Sequence, residues 1–137
     1  MLQRIGFKFS IKTMLVLLLI ALSYHLIIIA KLIPYEAVWG GRLTSIEQMR
    51  QFELFSITIN LFMVLVILSK GAIIKARIPL FINNIFLWLF TLMFAFNTVG
   101  NFFAMSLWEA IIFTPITFIS AILCLRLALE RKAPVSS

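Results

Sequence analysis

Four long apolar stretches, separated by short polar segments, constrain this chain more than any other feature. The stretches cover about residues 13–33, 52–69, 79–99 and 106–127. Because an α-helix rises about 1.5 Å per residue, about 20 apolar residues cross the roughly 30 Å hydrocarbon core of a bilayer. The sequence therefore predicts a single all-α domain over residues 1–137, built as a four-helix transmembrane bundle.

The composition supports lipid as the surroundings of this bundle. Hydrophobic residues make up 63% of the chain and charged residues 12%, and the mean hydropathy is +1.10. A soluble domain is about 45–50% apolar and about 25% charged, so the apolar excess has to face something other than water. We expect a multi-pass integral protein of the bacterial cytoplasmic (inner) membrane, with the lipid bilayer as its first partner.

The distribution of charge predicts the orientation. The net charge is +7, and cytoplasmic segments of membrane proteins collect Lys and Arg. Both termini and the turn over residues 70–79 carry three cations each. The 31–51 segment also has three, but three acids lie there or beside it (Glu36, Glu47 and Glu53), and the 100–108 connection has no cation. We therefore expect cytoplasmic termini and an outer 34–51 loop. The cations are Arg4, Lys8 and Lys12, then Lys70, Lys75 and Arg77, then Arg126, Arg131 and Lys132.

Several classes of function are not expected. No basic run is interleaved with aromatics in a soluble segment, so nucleic-acid binding is not predicted despite the basic charge. The single cysteine, Cys124, excludes a disulfide or a paired-cysteine site within one chain. One histidine makes a zinc site unexpected. No Walker, Rossmann, Ser-His-Asp or HExxH pattern is present, and we predict neither a cofactor nor a catalytic residue set.

The first apolar stretch has two interpretations. Residues 1–12 resemble the basic region of a signal peptide. However, the apolar stretch over 13–33 exceeds the usual length of about 7–15 residues, and no small-x-small cleavage site follows it. We interpret it as an uncleaved first span that ends at Pro34.

The ten residues from Pro34 to Leu43, PYEAVWGGRL, form the most distinctive polar interruption. One interpretation is a lid or re-entrant loop, gated by Glu36, Trp39 and Arg42, whose glycines let backbone amides approach a ligand. The alternative is an interfacial belt of aromatics, with a salt bridge between Glu36 and Arg42 holding a turn. The following Thr44-Ser45-Ile46-Glu47 fits a capping box and predicts a helix start near Ser45.

Polar residues within the spans cluster toward the side of this loop. Counting at 1.5 Å per residue from the cytoplasmic cations places His25 about 20 Å deep, Asn60 about 15 Å and Glu53 about 25 Å. Glu53, Ser56 and Asn60 form one stripe on a helix because they are three and four residues apart. We predict a polar chamber in the outer half, to which the other contributors are Asn97, Asn101 and Glu109.

Each of these residues also has a structural interpretation. Glu53 is either a proton carrier, cation ligand or general acid/base, or an interfacial carboxylate paired with Arg42 or Arg50. His25 is a relay or ligand, or a hydrogen-bonded packing residue. The asparagines are also suited to interhelical hydrogen bonding, worth about 0.6 kcal/mol each.

The Trp39-Gly40-Gly41-Arg42-Leu43 loop, followed by Phe52-Glu53 and later by the 97–101 segment NTVGN, resembles a pattern in small four-span bacterial membrane proteins of no assigned function. The resemblance covers most of the chain and implies a four-span fold without an activity. Small multidrug exporters differ, because their essential Glu lies in the first span, where this chain has His25.

These observations lead to one hypothesis and two alternatives. The leading hypothesis is that the chamber binds a small or amphipathic molecule, such as a lipid. An extended version of this hypothesis adds transport of that molecule. The alternatives are an intramembrane acid/base enzyme on a lipid-like substrate and a structural or assembly subunit, whose polar stripes would be consumed by interhelical bonds. A second copy of the chain or another membrane protein stays open as a partner.

Overall fold

The computed structural model describes residues 4–75, 78–104 and 107–130, apart from the side chain of Glu109. In these residues the chain forms four α-helices and no strand. Each helix is long and apolar enough to cross a membrane, so the predicted all-α four-helix transmembrane bundle is confirmed. The helices are α1 Phe7–Ile29, α2 Ile46–Lys70, α3 Leu80–Phe102 and α4 Leu107–Ala128.

The helices are arranged as an up-and-down bundle with neighbours in chain order. α1 packs against α2 and α4, and α3 packs most extensively on α4, whereas α2 contacts α3 least. We call the end with the 30–45 segment and the α3–α4 connection the loop end, and the opposite end the terminal end. The orientation of these ends in a membrane stays a prediction, and three of its cations, Arg77, Arg131 and Lys132, lie outside the described residues.

The first helix differs from its predicted bounds at both ends. It begins at Phe7 and includes Lys8 and Lys12, whose side chains lie exposed on its surface. It ends at Ile29 rather than at Pro34. There the chain forms a Schellman motif, in which Leu32 N–H donates to the Ile27 carbonyl and Lys31 adopts a φ of 61°.

The second helix begins where the capping pattern predicts. The Ser45 hydroxyl accepts from Gln48 N–H at 3.1 Å, and the Gln48 side chain accepts from Thr44 N–H at 2.9 Å. The side chain that reaches back to the backbone before the helix is therefore that of Gln48 and not of Glu47, because Ser45 and not Thr44 is the N-cap.

The third helix is longer than predicted, whereas the fourth, Leu107–Ala128, lies within one residue of its predicted bounds. α3 continues through Gly100 and Asn101 to Phe102, so these two residues do not start a connection as expected. A single glycine is tolerated in a helix, and Asn101 donates to Thr117 of α4, which ties this last turn to its neighbour. Pro115 lies inside α4.

The apolar core fills the terminal half of the bundle. Its fully buried members come from all four helices and include Met14, Leu18, Ile67, Leu87 and Leu127. Cys124 belongs to this core and contacts Met14, as expected for a small hydrophobe. A second small cluster, Ile28, Val38, Leu43 and Met49, packs the loop onto α1 and α2. The loop half between these two clusters is not filled in this way.

Candidate functional site

Glu53 of α2 is the centre of the polar residues in the loop half. Its side chain is 0% exposed. One carboxylate oxygen, Oε2, lies 2.7 Å from Nδ1 of His25 on α1, and the other, Oε1, accepts from the Trp39 indole Nε1–H at 2.7 Å. A buried charge is tolerated when it is paired and hydrogen-bonded, and here α1, α2 and the loop each supply one member of this His25–Glu53–Trp39 triad.

The loop reaches Glu53 because three consecutive residues adopt left-handed backbone conformations. The φ angles are 57° for Trp39, 67° for Gly40 and 71° for Gly41. Only glycine adopts this region without a steric penalty, so the glycine pair allows the turn. A left-handed non-glycine residue costs about 1–3 kcal/mol. At Trp39 the bond to Glu53 and an edge contact with Phe52, with ring centroids 5.0 Å apart, offset that strain.

The predicted salt bridges of the loop do not form. The ion pairs within residues 4–75, 78–104 and 107–130 are His25–Glu53 and Arg126–Glu130. Arg42 therefore pairs with neither Glu36 nor Glu53, and it donates instead to the Phe103 carbonyl at 3.4 Å. Arg50, the other expected partner of Glu53, is exposed. Arg42 thus links the loop to the α3–α4 connection.

The acid of the loop, Glu36, has a different local role. It is exposed, and its carboxylate, by accepting from the neighbouring phenol and by its charge, raises the pKa of Tyr35 above the usual value of 10.0.

A cavity of about 460 Å³ lies beneath the loop, between all four helices. This volume is within the range of about 300–1,000 Å³ that small-molecule sites occupy. Glu36 does not line it, and Glu109, whose side chain is outside the described part, cannot be placed. The other predicted site residues all line it: His25, Trp39, Arg42, Glu53, Asn60, Asn97 and Asn101.

The Asn60 side chain lines this cavity, and its amide oxygen has no hydrogen-bond partner among the described residues. It is 3% exposed, and its Oδ1 is buried and unpaired among the described residues. The expected interhelical bond is therefore not made by Asn60. Asn101 does make one, to Thr117 at 3.5 Å. An unpaired buried amide costs about 1–3 kcal/mol, which makes Asn60 the group in this cavity that a ligand would satisfy.

Sequence reasoning missed a second polar cluster, at the terminal end. Lys70 is 2% exposed and donates to Asn84 Oδ1 at 2.5 Å and to the Glu130 carbonyl at 2.8 Å. Arg126 donates to the Ile5 carbonyl at 2.8 Å and pairs with Glu130. In the sequence alone, both cations fit the positive-inside pattern. The i,i+4 spacing of Arg126 and Glu130 was the available signal.

The chemistry available at the loop end is hydrogen bonding and proton transfer. A carboxylate bonded to Nδ1 orients an imidazole and leaves Nε2 as its second proton-exchanging atom. His25 lines the cavity and is 20% exposed. No group of three or more His, Cys, Asp or Glu side chains that could hold a metal is found in the described part of the chain.

The fold and this cavity define a multi-pass integral membrane protein with a polar site in one half of its bundle. No family model matches the chain, and no curated protein or solved structure matches it. The resemblance to small four-span bacterial proteins stays a prediction.

Proposed function

We propose that this protein binds an amphipathic molecule in the cavity beneath the loop. The observation that carries the proposal is Asn60, a buried amide whose Oδ1 has no partner although it lines a cavity large enough for a ligand. Buried polar groups in proteins are nearly always hydrogen-bonded. A bound polar group would supply the missing bond.

The lining of the cavity favours an amphipathic occupant over a purely polar one. Polar side chains occupy part of the wall, and apolar and aromatic side chains occupy most of the remainder. Sites for small ligands combine such an apolar surface with a few placed polar groups. The apolar contributors include Leu17, Leu18, Ile59, Met63, Met93 and Phe113.

Binding is favoured over transport by the packing of the terminal half. Met14, Leu18, Met63, Ile67 and Leu87 are buried there in one apolar cluster. A route across the membrane would have to pass this cluster. On the predicted orientation, the cavity would then hold its ligand in the outer half of the bilayer.

The structural-subunit alternative fits less well. It predicted that interhelical bonds would consume the polar stripes and leave no cavity. The unpaired Asn60 and the cavity of about 460 Å³ differ from that expectation.

The test compares two asparagines by replacing each with leucine. Asn83 also has an unpaired buried Oδ1, but it does not line the cavity. Protein purified in a mild detergent is extracted with organic solvent, and the retained molecules are quantified by mass spectrometry. We expect an amphiphile in a constant ratio to the wild-type protein and to Asn83→Leu, and its loss from Asn60→Leu. Equal retention by all three proteins would contradict the proposal.

The His25–Glu53 pair favours a second candidate function, an intramembrane enzyme using acid/base chemistry on a lipid-like substrate. The 2.7 Å contact orients the imidazole at the cavity wall. If turnover occurs, vesicles containing the wild-type protein accumulate a lipid product that vesicles with His25→Gln lack. Identical lipid profiles after incubation of both proteins would exclude this candidate.

A further inference from the structure

Three of the four seams between neighbouring helices are closed at the level of the cavity. The α1–α2 seam is closed by an ion pair, the α1–α4 seam by two aromatic rings and the α3–α4 seam by two hydroxyl groups. The pairs are His25–Glu53 at 2.7 Å, Tyr24–Phe113 with ring centroids 4.6 Å apart, and Thr98–Thr117 at 3.0 Å.

The α2–α3 seam is different, because the contacts that close it lie in the terminal half. The ring of Phe62 on α2 lies 4.9 Å from that of Phe86 and 6.0 Å from that of Phe90 on α3. Nearer the terminal end, Asn83 donates to the Val66 carbonyl. Among the described residues, no hydrogen bond or ring contact joins α2 to α3 above the Phe62 level.

Above that level the same seam is open. Phe55 is seven residues before Phe62 and therefore lies on the same side of α2. Phe55 is 67% exposed and Phe96 of α3 is 73% exposed, yet both line the cavity. Asn97 beside Phe96 is also exposed and lines it. The cavity therefore has an opening in the side of the bundle, between α2 and α3.

The end of the cavity, by contrast, is roofed by the loop. Val38, Trp39, Gly40 and Arg42 line the cavity from this side. A methyl group at Gly40 would lie 3.6 Å from the Cα of Ala104, so the loop rests against the α3–α4 connection. The loop thus covers the cavity at this end of the bundle.

We infer that a bilayer amphiphile with one acyl chain and an uncharged hydroxyl head enters the cavity sideways, between Phe55 and Phe96, and places its hydroxyl on Asn60. This inference rests on the proposed function and adds the route and the class of ligand. The side of a transmembrane bundle faces lipid tails, so an acyl chain passes this opening without crossing water. The two phenylalanines flank the path of that chain.

The hydroxyl head follows from the charges of the wall. Glu53 is already paired with His25 and accepts from Trp39, so among the described residues no carboxylate of the wall is left to attract a cationic head. Arg42 is exposed at the roof, away from the buried Asn60. A hydroxyl group both donates and accepts, so it satisfies either end of the Asn60 amide.

Trp39 lines the cavity and reports on its contents. The test uses the chain with Trp88→Phe, Trp108→Phe and Cys124→Ser, which leaves one tryptophan and no cysteine, and adds Phe55→Cys and Phe96→Cys. The protein is placed in phosphatidylcholine vesicles, and a monoacylglycerol brominated on its acyl chain is added. Brominated phosphatidylcholine at equal bromine content measures quenching by the surrounding bilayer.

We expect the brominated monoacylglycerol to quench Trp39 beyond the phosphatidylcholine control. A reversible bis-methanethiosulfonate that bridges the two cysteines should reduce this quenching to the control level, and a thiol reductant should restore it in the same sample. The single variant Phe55→Cys, treated with the same reagent, should keep full quenching. Because the protein is compared with itself before and after reduction, misfolding cannot produce this pattern.

The outcomes separate the route from the site. Extra quenching that persists after bridging would overturn the lateral route. If this extra quenching is absent from Asn60→Leu, the proposed binding would still be supported. Quenching by monoacylglycerol at the control level, unchanged by bridging, would overturn both the route and the hydroxyl ligand, and loss of a co-purified amphiphile in Asn60→Leu would still support the proposed binding. Quenching by brominated phosphatidylcholine that also falls on bridging and returns on reduction would overturn the single-chain hydroxyl ligand.

Discussion

The two ends of this bundle use buried polar residues in opposite ways. At the terminal end, each buried polar side chain among the described residues makes at least one hydrogen bond. The bonds of Ser69, Lys70, Asn83 and Arg126 join helices to each other or to the flanking segments, and that of Ser10 lies within the first turn of its own helix. At the loop end, both oxygens of the buried Glu53 carboxylate have partners, but the Oδ1 of Asn60, two turns further along the same helix, has none, and a cavity replaces the core.

This difference shows that a polar residue within a span is not by itself a sign of function. Such residues are expensive in lipid and often mark functional sites. Lys70 nonetheless donates its hydrogen bonds to groups of the protein itself, whereas the Oδ1 of Asn60 has no partner. The distinguishing property is the missing partner next to open volume.

The largest expected effect is that of removing Glu53. Glu53→Ala leaves His25 and the Trp39 indole without their buried partner, and breaking a buried pair costs about 3–5 kcal/mol. We expect a loss of that order in the free energy of unfolding, measured by titration with SDS in mixed micelles. Glu47→Ala, an exposed change in the first turn of the same helix, should stay within about 0.5 kcal/mol of wild type. Equal unfolding midpoints would refute the central place given to Glu53.

Lys70→Met is expected to have the next largest effect, at the opposite end. The change keeps the length of the side chain but removes two charged hydrogen bonds, each worth about 1.5–3 kcal/mol. The same SDS titration should show a loss in that range, with retention of the bound amphiphile unchanged. Lys75→Met, at an exposed position, is the control. A loss of the bound amphiphile without a loss of stability would contradict the assignment of structural bonds to the terminal end and ligand binding to the loop end.

Gly40→Ala tests whether the glycine pair shapes the loop. Gly40 has a φ of 67°, and a left-handed conformation costs an alanine about 1–2 kcal/mol. We expect that loss in stability together with increased water access to Trp39, measured by acrylamide quenching. Gly100→Ala is the matched control, since nothing lies within 4 Å of its added methyl group and alanine in a helix is favoured by about 0.5–1 kcal/mol. Equal effects at both glycines would contradict the loop interpretation.

The smallest expected effect has opposite signs at two asparagines. Asn60→Leu removes an unpaired buried amide and should stabilise the ligand-free protein by about 1 kcal/mol. Asn83→Leu removes the bond to the Val66 carbonyl and should destabilise it by about 1 kcal/mol. Differential thermal unfolding in delipidated detergent measures both. Destabilisation by Asn60→Leu would show that Asn60 has a partner of its own within the protein, and stabilisation by both changes would contradict the structural role given to the Asn83 bond.

The fold was largely predictable because bilayer thickness sets the length of apolar segments. The errors lay at the helix ends, because the length of an apolar segment does not determine at which residue the helix begins or ends. Lysines can extend along an apolar helix surface, so Lys8 and Lys12 did not mark the start of α1. Lys31 could adopt the left-handed cap that glycine usually occupies, so Pro34 did not mark the end.

The sequence predicted how deep in the bundle the site residues lie, but not which side chains form hydrogen bonds with each other. Residue counting placed His25, Glu53 and Asn60 in one half of the bundle, since a helix has a fixed rise. It could not show that the Trp39 indole reaches Glu53, because this depends on three backbone angles of the loop. It could not separate Asn60 from Lys70 either, because helices that are apolar all round do not reveal which side faces the core.

The position of the His25–Glu53–Trp39 triad in the chain has a consequence for biosynthesis. All three residues belong to the first helical hairpin, which leaves the ribosome before α3 and α4 exist. The charge that is most expensive to place in lipid can therefore be neutralised as soon as α2 is inserted, without waiting for the second hairpin. The cluster of Lys70, Arg126 and Glu130 spans both hairpins and can close only after α4 has been synthesised.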